Sequence, residues 1–124
     1  MDDRLEKALD FSNFMVTLNN QRKLIYEKFL ENSVYYEQGG KFAVNKELIN
    51  FCHTLLQNNQ TSAVFIDDNN TPVEIEDLQE FSDKILDVYF TTVNEYLIKF
   101  KEIKEKRTSE GLLNIWNMEF YCLQ

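Results

Sequence analysis

The sequence predicts an α+β fold, mainly α: two long antiparallel helices with two small β-hairpins and one short helix between them. Three observations carry that prediction. Residues 3–32 and 77–107 keep apolar side chains three and four apart over lengths that only a helix explains. Between them, two pairs of β-favouring runs flank turn-forming residues. Only three glycines and one proline occur in 124 residues, and they sit where turns are wanted.

The first helix is read from Ala8, Phe11, Met15, Leu18, Ile25 and Phe29, with Arg22 filling the missing step. Val34-Tyr35-Tyr36 and Phe42-Ala43-Val44 then flank Gly39-Gly40, a pair able to take the positive φ values of a tight hairpin. Asn45 offers an N-cap to a helix whose stripe is Leu48, Ile49, Cys52, Leu55 and Leu56, ended by Asn58-Asn59. Strands over 62–66 and 73–75 enclose Asp67-Asp68-Asn69-Asn70-Thr71-Pro72, residues that hydrogen-bond their own backbone in turns. Leu78, Phe81, Ile85, Tyr89, Val93, Tyr96, Phe100 and Ile103 make the stripe of a last helix, from near Asp77 to Arg107.

That last helix would be about 46 Å long, against a sphere about 35 Å across for a compact chain of this size. It is expected to overhang, with its aromatic end covered by the first helix, by the tail or by another chain. The sequence therefore divides into a helical domain with hairpins, residues 1–107, and a hydrophobic tail, 108–124, rich in Leu112, Leu113, Ile115, Trp116, Phe120 and Leu123. The expected interface of a homo-oligomer is Tyr89, Val93, Tyr96, Phe100 and Ile103 with Trp116 and Phe120.

Hydrophobic residues make up 44% and charged residues 27% of the chain, which excludes a disordered polymer. The net charge of −8 makes direct nucleic-acid binding unfavourable. Met1-Asp2-Asp3-Arg4 has neither a basic nor an apolar leader character, so a cytoplasmic protein is expected, and no apolar run approaches the ~20 residues that span a bilayer. Cys52 and Cys122 are expected as reduced packing residues rather than a disulfide.

Charge is unevenly spread. Between 67 and 87 there are eight acids and one base, whereas 99–107 holds five bases and two acids. Such a gradient complements a helix dipole at about 0.3–1 kcal/mol for each well-placed charge. It also marks Asp67, Asp68, Glu76, Asp77, Glu80, Asp83 and Asp87 as an acidic face able to imitate nucleic-acid phosphates.

No catalytic or cofactor constellation emerges. The 67–71 run resembles a calcium loop, but Pro72 stands where an EF-hand needs glycine and Leu78 where it needs the bidentate acid. Cys52 and His53, adjacent on a helix, point about 100° apart and make no dyad. No metal, no organic cofactor and no enzymatic activity are expected.

Asp2-Asp3-Arg4-Leu5-Glu6-Lys7-Ala8-Leu9-Asp10-Phe11, and Ala63-Val64-Phe65-Ile66-Asp67-Asp68-Asn69-Asn70-Thr71-Pro72-Val73-Glu74-Ile75 leading into Tyr89-Phe90 and Asn94-Glu95-Tyr96, carry a resemblance. They resemble small uncharacterised proteins of tailed phages of marine cyanobacteria and related marine bacteria, over residues 2 to 107. The resemblance implies a setting in the host cytoplasm or the virion and implies no activity. The expected function is that of a non-enzymatic phage accessory or assembly protein, contacting itself and an unidentified phage or host protein. The alternative is an acidic regulator that occupies a basic groove of a host or phage enzyme.

Overall fold

The computed structural model describes residues 3–106. Its elements are α1 (Asp3–Asn32), β1 (Val34–Glu37), β2 (Gly40–Ala43), α2 (Lys46–Gln57), β3 (Ala63–Ile66), β4 (Pro72–Ile75) and α3 (Leu78–Glu105). Helix accounts for 67% of the described residues. The strands form two separate antiparallel pairs, β1 with β2 and β3 with β4.

The structure divides into two compact units. One takes α1 up to Lys28 together with α3 from Tyr96 onward; the other runs from Phe29 to Glu95. Each has its own hydrophobic cluster.

In the 29–95 unit the core is Phe42, Val44, Cys52, Phe65, Val73, Ile75, Leu78, Phe81 and Ile85. Phe81 is its aromatic centre: the rings of Phe42 and Phe65 each lie 5.3 Å from it and Tyr35 lies 5.8 Å away. Both hairpins supply these residues by alternation, since Phe42 on β2, Phe65 on β3, and Val73 and Ile75 on β4 are buried while their strand neighbours Lys41, Val64, Ile66 and Glu74 are exposed. Below this cluster, Ser33 Oγ lies 2.7 Å from Phe29 O and 3.1 Å from Thr92 Oγ1, which satisfies two buried hydroxyls.

Local chemistry sets the boundaries. Asn45, in extended backbone, accepts the Leu48 N–H on Oδ1 at 2.9 Å and starts α2. Asn59 takes φ 63°, and the Gln60 N–H reaches back to Leu55 O at 3.0 Å, ending the helix in a left-handed cap. Asp77 caps α3 by accepting the Glu80 N–H at 3.1 Å.

The first hairpin turns one residue earlier than its glycines suggest. Gln38 and Gly39 hold the positive φ values, 51° and 78°, and Glu37 pairs with Gly40. Gly40 is therefore a strand residue, and a Cβ there would lie 2.7 Å from Val73 Cγ2. Its lack of a side chain lets β2 approach β4. The second hairpin folds as a type I turn with a bulge: the Asn70 N–H donates to Asp67 O, Asn70 takes φ 60°, and the Asp67 N–H donates to Thr71 O.

The other unit is a contact of two helices. Ile25 and Ile103 are buried together, with Phe14, Leu18, Tyr96 and Phe100 packed around them. Tyr26 meets Tyr96 edge-on at 6.1 Å, and the Arg22 guanidinium lies 5.7 Å over the Phe100 ring. Gln21 of α1 is buried, and its Oε1 has no hydrogen-bond partner among the described residues.

Candidate functional site

The predicted interface on α3 is largely spent on the chain's own cores. Ile103 is 1% exposed against Ile25, so it is a core residue and not a docking residue. Tyr96 and Phe100 are partly buried in the same cluster, Tyr89 packs on the 29–95 core, and Val93 is half-buried. For Tyr96, Phe100 and Ile103 the physical reason is that α1 supplies Phe14, Leu18 and Ile25 to the same cluster. Trp116, Phe120 and the rest of the 108–124 tail lie outside the described residues.

The acidic face also needs correction. Asp67 is 6% exposed and is turned into the protein. Its Oδ1 accepts the backbone N–H groups of Asn69 at 2.9 Å and Thr71 at 2.8 Å, and Oδ2 accepts that of Lys41 at 3.1 Å. These backbone donors, the Thr71 N–H foremost, hold the Asp67 carboxyl below its ordinary pKa. Asp68, though exposed, accepts the Ala43 N–H on Oδ1 at 3.2 Å, and its own N–H donates to Lys41 O at 2.9 Å.

These bonds have a common target. In the first hairpin the two-residue turn makes Glu37 and Gly40 a hydrogen-bonded pair, so Lys41 and Ala43 direct their backbone groups away from β1. The Asp67-Asp68 loop meets both N–H groups and the Lys41 carbonyl, covering that part of the β2 edge. What reads in sequence as a surface charge cluster or a cation loop is a clasp between hairpins.

Glu76, Asp77, Glu80, Asp83 and Asp87 are exposed, and Glu80, Asp83 and Asp87 share one face of α3 by their spacing. Asp77 is engaged as the cap, and Asp83 accepts from Gln79 at 3.0 Å. Cys52 is buried and its thiol is pushed up to about 11 by desolvation, which makes it a poor nucleophile at neutral pH. Among the described residues, no group of three or more His, Cys, Asp or Glu side chains is placed to hold a metal. No helix there is long and apolar enough to cross a membrane.

Two further surfaces stand out among the described residues. On α1, Leu5, Leu9 and Val16 are between 48% and 57% exposed. Their spacing places them within about 40° of one another and on the side of the helix away from Phe14, Leu18, Gln21 and Ile25. The 5-9-16 spacing, interrupted by polar Ser12, is overlaid in the sequence by the second stripe on the same helix. In the 29–95 unit, a 420 Å³ groove lies between β2 and β3, with Leu48 and Phe51 of α2 among its lining residues. Beside it Val64 and Ile66 are 65% and 72% exposed.

Comparison with protein-family models, with curated proteins and with solved structures gives no match to this chain.

Proposed function

We infer that the chain is a non-enzymatic accessory or assembly protein that acts through protein contacts and self-associates through α1, in the phage setting its sequence resemblance implies. Its long helices pack antiparallel, a reading supported by contacts that climb α1 from Arg22 to Tyr26 while descending α3 from Phe100 to Tyr96. The observation that carries the self-association is the exposed Leu5-Leu9-Val16 stripe, set on the opposite side of α1 from the residues that serve the core.

Each of the three side chains is about half exposed, so its burial gains about half of the ~1.5–3 kcal/mol of a full transfer. Six of them across a two-copy interface are of the same order as the association cost of about 4–15 kcal/mol. Weak, concentration-dependent association follows. Sedimentation equilibrium from micromolar to hundreds of micromolar tests it. The wild-type mass is expected to rise with concentration, and the Leu5→Gln, Leu9→Gln, Val16→Gln variant to stay monomeric. A wild-type chain that is monomeric throughout would overturn the proposal.

A second reading is supported by the exposed row Glu80, Asp83 and Asp87: an acidic surface that occupies a basic groove of an enzyme. Salt separates the two, because at roughly 1 M the Debye length shrinks to about 3 Å and contacts between exposed charges are screened. Self-association through leucines survives that treatment.

A further inference from the structure

We propose that the open edge of β3 binds an extended peptide segment of a partner protein, carrying apolar residues flanked by Lys or Arg, as an added strand in the groove between the hairpins. The surface is distinct from the α1 stripe, and the proposal stands whether or not that stripe joins two copies.

The Asp67 N–H donates to Thr71 O, so the alternation of an antiparallel ladder makes Phe65 with Val73 and Ala63 with Ile75 the hydrogen-bonded pairs. Val64, opposite Glu74, and Ile66, opposite Pro72, then direct their N–H and C=O groups away from β4. Pro72 fits that register, since its missing donor falls at a non-hydrogen-bonded position. Among the described residues, no backbone hydrogen bond outside the ladder involves Val64 or Ile66.

The neighbouring edge is treated differently. The outward N–H groups of Lys41 and Ala43 and the Lys41 carbonyl, all on β2, are met by Asp67 and Asp68. The clasp joins the two hairpins at the Asp68 end, and beside Val64 and Ile66 the space between β2 and β3 is the 420 Å³ groove. A strand laid there would find up to four backbone partners on β3. Side chains on one of its faces would meet Leu48, Phe51 and Phe65, and those on the other would lie beside Val64 and Ile66. Phe51 already packs edge-on to Phe65 at 5.5 Å, which gives the groove an aromatic wall.

Charge selects the occupant. The charged residues lining the groove are Glu47 and Asp68, with no Lys or Arg among them, and Glu74 stands exposed across from Val64. A second copy of this chain, at net −8, would bring like charge to an acidic rim. A peptide with apolar residues at its centre and basic residues at its ends matches both the walls and the rim, in the manner of strand addition to an open sheet edge.

The test uses the full chain and a fluorescein-labelled peptide, Arg-Lys-Val-Thr-Val-Lys-Arg, followed by fluorescence anisotropy and by amide exchange. Binding is expected, weakened by salt, and accompanied by new protection of the Val64 and Ile66 amides. Methylating the backbone nitrogens on one edge of the peptide, which keeps every side chain, is expected to weaken binding about tenfold or more. Val64→Pro removes one outward donor and is expected to do the same, whereas Tyr36→Pro on β1 leaves binding unchanged. A Val64→Pro chain that fails to fold leaves the methylated peptide and the exchange pattern to decide. The absence of binding, equal binding of the methylated peptide, equal binding of Glu-Glu-Val-Thr-Val-Glu-Glu, or protection confined to other strands would each overturn the proposal.

Discussion

Gly40 and Asp67 show how single residues hold the hairpins in place. A Cβ at Gly40 would lie 2.7 Å from Val73 Cγ2 and 3.1 Å from Phe42 Cε2, and Val73 is a stiff, buried, β-branched side chain with little freedom to yield. Gly40→Ala is therefore expected to destabilise the fold by about 1–3 kcal/mol, read by urea unfolding. Asp67 acts through its ionised form, because all three donors to its side chain are backbone N–H groups. Its pKa is lowered on folding, so its stabilisation is complete above the unfolded value, about 3.9, and is lost as pH falls through the lower folded value. Asp67→Asn is expected to be less stable than wild type at pH 7, with the difference shrinking as acid protonates the wild-type carboxylate. A constant difference between neutral and acid pH would contradict that account. Gln21 presents the opposite case: its buried Oε1 is unsatisfied, so Gln21→Met is expected to be neutral or stabilising.

At the scale of elements, caps and turns explain both what was legible in the sequence and what was not. The cap of α2 could be read directly, since Asn45 precedes an apolar stripe and its side chain has one local donor to meet, the Leu48 N–H. Asn45→Ala is expected to cost about 1 kcal/mol by thermal unfolding, with the helix otherwise intact. Both hairpins were legible as well, because turn residues separate short β-favouring runs. The first turn's register was not: Gly39-Gly40 satisfies the local rule for positive φ, but contact with Val73 decides which of the two enters the strand. Likewise the acids of 67–71 announce a turn, whereas their reach to Lys41 and Ala43 depends on a pairing 25 or 26 residues away. On α1 the sequence showed the stripe that meets α3 and concealed the Leu5-Leu9-Val16 stripe opposite, since two apolar faces on one helix blur each other's period.

For the whole molecule, periodicity identifies apolar residues without saying how many cores they serve. The α3 stripe from Leu78 to Ile103 reads as continuous, yet Leu78, Phe81 and Ile85 enter one cluster and Ile103 another. Of the α3 residues expected at an interface, Ile103 is buried and Tyr89, Val93, Tyr96 and Phe100 are half-buried within the chain. Among the described residues, the exposed side of α1, the Glu80-Asp83-Asp87 row and the β3 edge are surfaces a partner can reach, and the clasp occupies the outward N–H groups of the β2 edge while the β3 edge stays open. Amide hydrogen exchange resolved by residue measures that contrast most directly. Slow exchange is expected at Lys41, Ala43 and Phe65, with Val64 and Ile66 exchanging close to unprotected rates. Val64 and Ile66 protected as strongly as Phe65, or Lys41 and Ala43 exchanging freely, would contradict it.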